Sequence, residues 1–113
     1  MYFKVAWACK TPFVLILDRN YKVMFDNTLH QICKSVKEWF KYTIDIQDCD
    51  DAAWEFKAQA TRLRENGVGF IIGIRKWGLH AWNIVLTNTG IVQVEPQLGK
   101  IVSKGYRPFV VIM

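Results

Sequence analysis

The sequence lacks the features that announce export, membrane insertion or a cross-linked scaffold. Met1 to Lys10 contains no basic stretch leading into a long apolar one, so no signal peptide is read there. Apolar runs such as Phe13 to Leu17 are far too short to span a bilayer. The 3 cysteines, Cys9, Cys33 and Cys49, are odd in number and not closely paired, which argues against a disulfide framework. Neither CxxC nor HExxH spacing is present, so zinc has no signature. There is also no repeat and no Pro/Gly/Ser linker. A soluble protein of a reducing, cytoplasmic compartment is expected, with no membrane partner.

What remains is globular. Hydrophobic residues make up 51% of the 113 positions and charged residues 22%, which excludes disorder as the default reading. The 7 Phe, 5 Trp and 4 Tyr supply enough apolar surface for a core at this size. One domain over residues 1–113 is expected. The net charge is +5, but the basic residues are scattered rather than gathered in a stripe, so nucleic acid is not expected as a partner.

Two apolar segments, Tyr2 to Ala8 and Phe13 to Leu17, are separated by Pro12. The second reads as a strand or an extended lead-in. A helix is predicted from about Thr28 to Tyr42, because Leu29, Ile32, Cys33, Val36, Trp39 and Phe40 recur on one helical face. A second helix begins near Cys49, with Asp48 as its N-cap, and ends before Gly67. Strands are predicted over Gly69 to Ile74, His80 to Thr87, Ile91 to Glu95 and Phe109 to Ile112, with a hairpin at Asn88-Thr89-Gly90. Helices followed by an antiparallel sheet give an α+β class.

Three residues invite a chemical reading. Cys49 stands at a helix N-terminus, where backbone N–H groups favour a thiolate. The adjacent carboxylates push the other way, and a small buried cysteine is the plainer alternative. His80 starts a strand and could shuttle a proton or be a rim histidine held by hydrogen bonds. Glu95 shares His80's face only if the Asn88-Thr89 turn has two residues, pairing Thr87 with Gly90. A three-residue turn sends Glu95 to the other face. Asp45, Asp48, Asp50 and Asp51 crowd one helix start, where they could cap the helix or hold a hard cation such as calcium.

The strings Asp48-Cys49-Asp50-Asp51-Ala52, His80-Ala81-Trp82-Asn83 and Glu95-Pro96-Gln97 form an ordered set. The set resembles the papain-like cysteine-protease domain at the C-terminus of a calcium-dependent fungal agglutinin, and its small phage or bacterial relatives. That resemblance implies a minimal papain-like/transglutaminase-like domain, with N-terminal helices packed on a small antiparallel sheet. It implies Cys49 as nucleophile, His80 as its partner and Glu95 as the orienting residue. It further implies Asp50, Asp51 and Gln97 as ligands of a divalent cation, calcium. The expected function is a metal-assisted thiol hydrolase acting on a peptide or protein substrate, in the host cytoplasm if phage-encoded. Trp77 and Trp82 would wall the substrate, or pack in the core. The competing expectation is a non-catalytic accessory binding protein that keeps the fold and binds a host protein or small ligand.

Overall fold

The computed structural model describes residues 1–76, 78–102 and 104–113. Its core is a mixed sheet. In chain order the elements are α1 (Tyr2–Cys9), β1 (Val14–Leu15), α2 (Asp26–Trp39), α3 (Cys49–Arg62), β2 (Val68–Arg75), β3 (Gly78–Thr87), β4 (Gly90–Glu95), β5 (Lys100–Val102) and β6 (Tyr106–Ile112). The 6 strands lie in the order β1-β6-β2-β3-β4-β5. All neighbours are antiparallel except β1 and β6, which run parallel through Val14 opposite Val111 and Leu15 opposite Ile112.

Helices cover both faces. Leu29, Ile32, Cys33 and Val36 of α2, with Phe56 and Ala60 of α3, bury one face against Val68, Val85 and Val94. Val5 and Cys9 of α1 pack on the other face against Ile71, Trp82, Ile84 and Val111. The alternation of Val85 to one side and Ile84 to the other is the strand period made visible. It explains why β3 reads as a near-continuous apolar run: both of its faces are buried. Asn83, itself fully buried, donates from Nδ2 to the carbonyls of Ala53 and Gly69 at 3.0 Å, which ties α3 to the sheet.

These features correct the expected α+β, papain-like/transglutaminase-like arrangement on a small antiparallel sheet. The sheet is mixed, and a helix covers its second face. The sequence does not mark α1 as a helix, because its residues are apolar almost all round and leave no helical stripe. Its end is set locally. Lys10 adopts the left-handed conformation at φ 54, the Thr11 N–H reaches the Ala6 carbonyl at 3.2 Å, and Pro12 follows. α3 starts at Cys49 as expected. Asp48 and Asp51 form a reciprocal capping box in which the Asp48 N–H donates to Asp51 Oδ2 at 3.1 Å.

Two glycines in strands test the packing. A Cβ on Gly73 would collide with the Arg107 carbonyl and come within 2.6 Å of Trp82 Cη2, next to the register shift between β2 and β6 at Ile72/Gly73. A Cβ on Gly78 would meet nothing within 4 Å. Gly73→Ala should therefore cost about 1–3 kcal/mol in urea unfolding, as overpacked cores do, while Gly78→Ala stays within about 0.5 kcal/mol of the parent. Equal stabilities for the two variants would contradict this packing.

Candidate functional site

The hairpin register decides where Glu95 points. Thr87 pairs with Gly90 and Asn83 with Val94, so the turn has two residues and the register is the even one. Continuing that register puts Glu95 opposite Trp82, on the same face as His80. Gly90 at φ 136 supplies the backbone freedom the turn needs.

Glu95 is fully buried, not a surface carboxylate. Its Oε1 accepts from three side chains: His80 Nε2, Arg75 Nη1 at 3.3 Å and Tyr106 Oη at 3.2 Å. Its Oε2 accepts from the Gln97 backbone N–H at 3.4 Å. An unpaired buried carboxylate would cost several kcal/mol, and these donors answer that cost. Tyr106 is pushed up to about 12, first by burial and then by the negative charge of Glu95, so it remains a phenol that can donate. Arg75 lies 5.1 Å over the Tyr106 ring, and Trp82 meets that ring edge-on at 5.1 Å. The result is a network that spans β2, β3, β4 and β6.

His80 belongs to that network, stacked on Trp82 with ring centroids 5.8 Å apart. Cys49 comes from elsewhere. It sits half-buried at the first position of α3 and packs against Ala53, Phe70 and Ala81. The thiol accepts from the Ala81 backbone N–H, one residue along β3 from His80. Among the described residues no hydrogen bond joins the thiol and the imidazole. Burial raises the Cys49 thiol above its ordinary value, the Ala81 and Asp50 backbone N–H groups partly oppose that, and the Asp48 and Asp50 carboxylates add to it. These surroundings together favour the thiol over the thiolate. The structure brings His80 and Glu95 into contact and sets Cys49 beside the Ala81 backbone.

The other expected residues divide. Trp82 is fully buried and donates from Nε1 to Gln93 at 2.8 Å, so it is core rather than a wall for a substrate. Trp77 lies outside the described residues. Gln97 is half-buried on the turn after β4. Asp50 and Asp51 do come together, and Asp48 joins them: one oxygen from each lies within 4.8 Å of the others. Asp48 is raised to about 6, chiefly by its hydrogen bond with Asp50, then by burial and by Asp51. Asp45 is exposed and in the left-handed region at φ 61.

A cleft that the sequence did not disclose opens between the end of α1 and β6. It encloses about 890 Å³ and is lined by Lys10, Lys76, Gln93, Tyr106, Arg107 and Phe109 among others. Its lining includes three cations and no carboxylate among the described residues. Lys10, Lys76 and Arg107 are far apart in the chain, so no local motif could have found them.

The thiol's state is measurable. Alkylation of Cys49 by iodoacetamide should be slow at neutral pH and climb about tenfold per pH unit past the ordinary thiol value of 9.0. Cys9 and Cys33, buried and pushed up to about 11, should lag behind it in the folded protein. A labelling rate already level by pH 7 would show a thiolate and refute the assigned state.

No protein-family model and no curated protein matches the chain. Solved structures do. The Polyporus squamosus lectin bound to the human-type influenza-binding epitope Neu5Aca2-6Galb1-4GlcNAc is similar at TM-score 0.82 and 20% identity, over 99% of this chain and 47% of that one. A "PSL1a-E64 complex" is similar at TM-score 0.76 and 22% identity, over 88% of this chain and 42% of that one. The chain thus spans about half the length of these structures. At such identities the likeness shows the fold alone. It corrects the papain-like resemblance drawn from the motifs, since the first of these neighbours is a lectin, and no family model supports the expected cysteine-protease function.

Proposed function

We propose that the chain is a non-catalytic binding module for a small anionic ligand, with carboxylate-bearing glycans the first class to test. The observation that carries this reading is the cleft beside β6. Its volume of about 890 Å³ falls within the usual range for ligand sites, and Lys10, Lys76 and Arg107 line it without a balancing acid among the described residues. A carboxylate entering there gains charge-assisted hydrogen bonds. Tyr106 offers a ring whose position is set by Arg75 and Glu95. Rigid support of that kind lowers the ordering cost of binding. The lectin that shares this fold holds a sialylated glycan, which supports the ligand class; its chain is about twice as long, so the argument for this chain rests on the cleft. Cys49, His80 and Glu95 act in this reading by position: Glu95 and His80 brace the floor of the sheet, and Cys49 packs the start of α3.

Titration calorimetry with Neu5Acα2-6Galβ1-4GlcNAc and with neutral Galβ1-4GlcNAc tests the reading. The acidic glycan should bind, and the neutral one should bind at least about tenfold more weakly. Arg107→Gln should weaken the acidic glycan by about tenfold or more, the scale of one charge-assisted hydrogen bond. The proposal fails if neither glycan binds, or if Arg107→Gln changes nothing. It also fails if the chain cleaves a peptide and Cys49→Ser abolishes that cleavage.

We also propose that the Asp48, Asp50 and Asp51 cluster takes a divalent cation, calcium by donor type. Three carboxylates with oxygens within 4.8 Å of one another are hard ligands of the right kind. The raised Asp48 favours the protonated cluster, so the crowding is relieved below about pH 6 and costs stability above it. A bound cation offsets that cost. Millimolar calcium should raise Tm by several degrees at pH 7.5, following RT ln(1 + [L]/Kd), and by less at pH 5. Asp50→Ala should abolish the rise. An unchanged Tm for the parent protein, or an equal rise in Asp50→Ala, would remove the site.

A further inference from the structure

The helices on the α2/α3 face leave part of the sheet bare. Cys49 and Ala53 of α3 pack on Phe70 and Ala81, and Trp54 stacks on the Phe70 ring with centroids 4.3 Å apart. Ile72, the next residue of β2 on that face, is 39% exposed. Strand pairing carries the face outward from there. Ile72 lies opposite Val110 of β6, also 39% exposed. Val14 lies opposite Val111, and both pack on the α1 side, so Phe13 and Leu15 point with Val110 to the other side. They stand out at 65% and 53%, and Trp54 bounds the patch on the helix side at 54%. The neighbours run Trp54, Phe70, Ile72, Val110, Phe13 and Leu15 without leaving one face of the sheet.

Area and charge together select the occupant. The exposed parts of these side chains amount to about 500 Å² of apolar surface. That is close to the apolar share of the ~800 Å² that each partner buries in a standard interface. None of the six is charged, and the flanks are of mixed sign. Asp50 and Lys57 lie one turn before and one turn after Trp54 on α3, and Asp18 follows β1. A surface of one charge would be drawn to one flank and repelled by another, whereas a second copy brings the same mixture. The shape is also self-complementary. α3 stands as a ridge beside β6 and β1, and a two-fold axis parallel to the strands lays each ridge along the other copy's bare strands. Lys57 donates to the Val68 carbonyl and feels the charge of Asp18, which places both at the same end of the sheet. That axis therefore brings Lys57 of one copy to the Asp18 end of the other.

We infer that the bare face of β2, β6 and β1 joins two copies of the chain in a two-fold dimer. The face lies across the sheet from α1, whose end borders the cleft, and the dimer therefore offers two clefts to a multivalent ligand. The dimer rests on the sheet face alone and does not depend on what the cleft takes.

Sedimentation equilibrium of the full chain tests this. The weight-average mass should rise with concentration from 13.2 kDa and level at twice that value. Phe13→Glu and Ile72→Lys should each weaken dimerisation by at least about tenfold, because each puts a charge into an apolar contact. Trp7→Glu, on the outward side of α1 and 87% exposed, should leave it unchanged. Phe13 precedes β1 and is exposed, so Phe13→Glu should keep the parent's far-ultraviolet circular dichroism and report the contact even where Ile72→Lys unfolds. A monomer mass at every concentration up to about 500 μM overturns the inference. Parent-like dimerisation of Phe13→Glu does so too, as does a dimer that Trp7→Glu alone abolishes. A mass that climbs past the dimer without levelling also overturns it, because a closed two-fold contact stops at two copies.

Discussion

A single buried carboxylate organises the end of the sheet. Glu95 has no contact with solvent, so its oxygens must find donors inside the protein. Those donors come from three strands and a turn: Arg75 on β2, His80 on β3, Tyr106 on β6 and the Gln97 backbone after β4. Each donor is fixed in turn by a second contact. Arg75 covers the Tyr106 ring, Tyr106 meets Trp82, and Trp82 stacks under His80 and bonds Gln93. The ring that borders the cleft therefore sits where a carboxylate on a different strand puts it. Removing Glu95 would leave a cation, a phenol and an imidazole without their common partner, at a cost larger than the loss of one bond.

Part of this arrangement was legible in the sequence. The Asn88-Thr89-Gly90 turn specified a short hairpin and two possible faces for Glu95, and the two-residue register of the structure selects His80's face. The start of α3 was equally readable, because Asp48 and Asp51 cap it through contacts three residues apart. These features depend on neighbours in the chain. Those that were missed depend on distant segments. α1 lacks a polar stripe because its outward side is also apolar, and β1 is two residues long. Trp82 could be a wall or a core residue by type alone, and only the packing of Val5, Ile71 and Val111 around it settles the matter.

The chemical expectation went further than the physics beneath it. Asp-Cys-Asp-Asp at a helix start suggests an activated thiol, because the helix N-terminus favours an anion. In place, burial and two carboxylates push the thiol up while the backbone N–H groups oppose them. The same string serves as a helix cap, a use that needs no reactivity. His80 and Glu95 do meet, and their partnership includes Arg75 and Tyr106. Short motifs in a fixed order predicted contacts between residues better than they predicted a reaction.

The parallel pairing of β1 with β6 has a consequence in time. Val111 and Met113 donate to the carbonyls of Phe13 and Leu15 at 2.9 Å, joining segments nearly a hundred residues apart in the chain. During synthesis, β1 has no partner until residues 106–113 have left the ribosome. The hairpin of β3 and β4 can form earlier from local contacts, whereas the layer beneath α1 closes last. The nascent chain must therefore carry β1 unpaired until nearly a hundred further residues have been made.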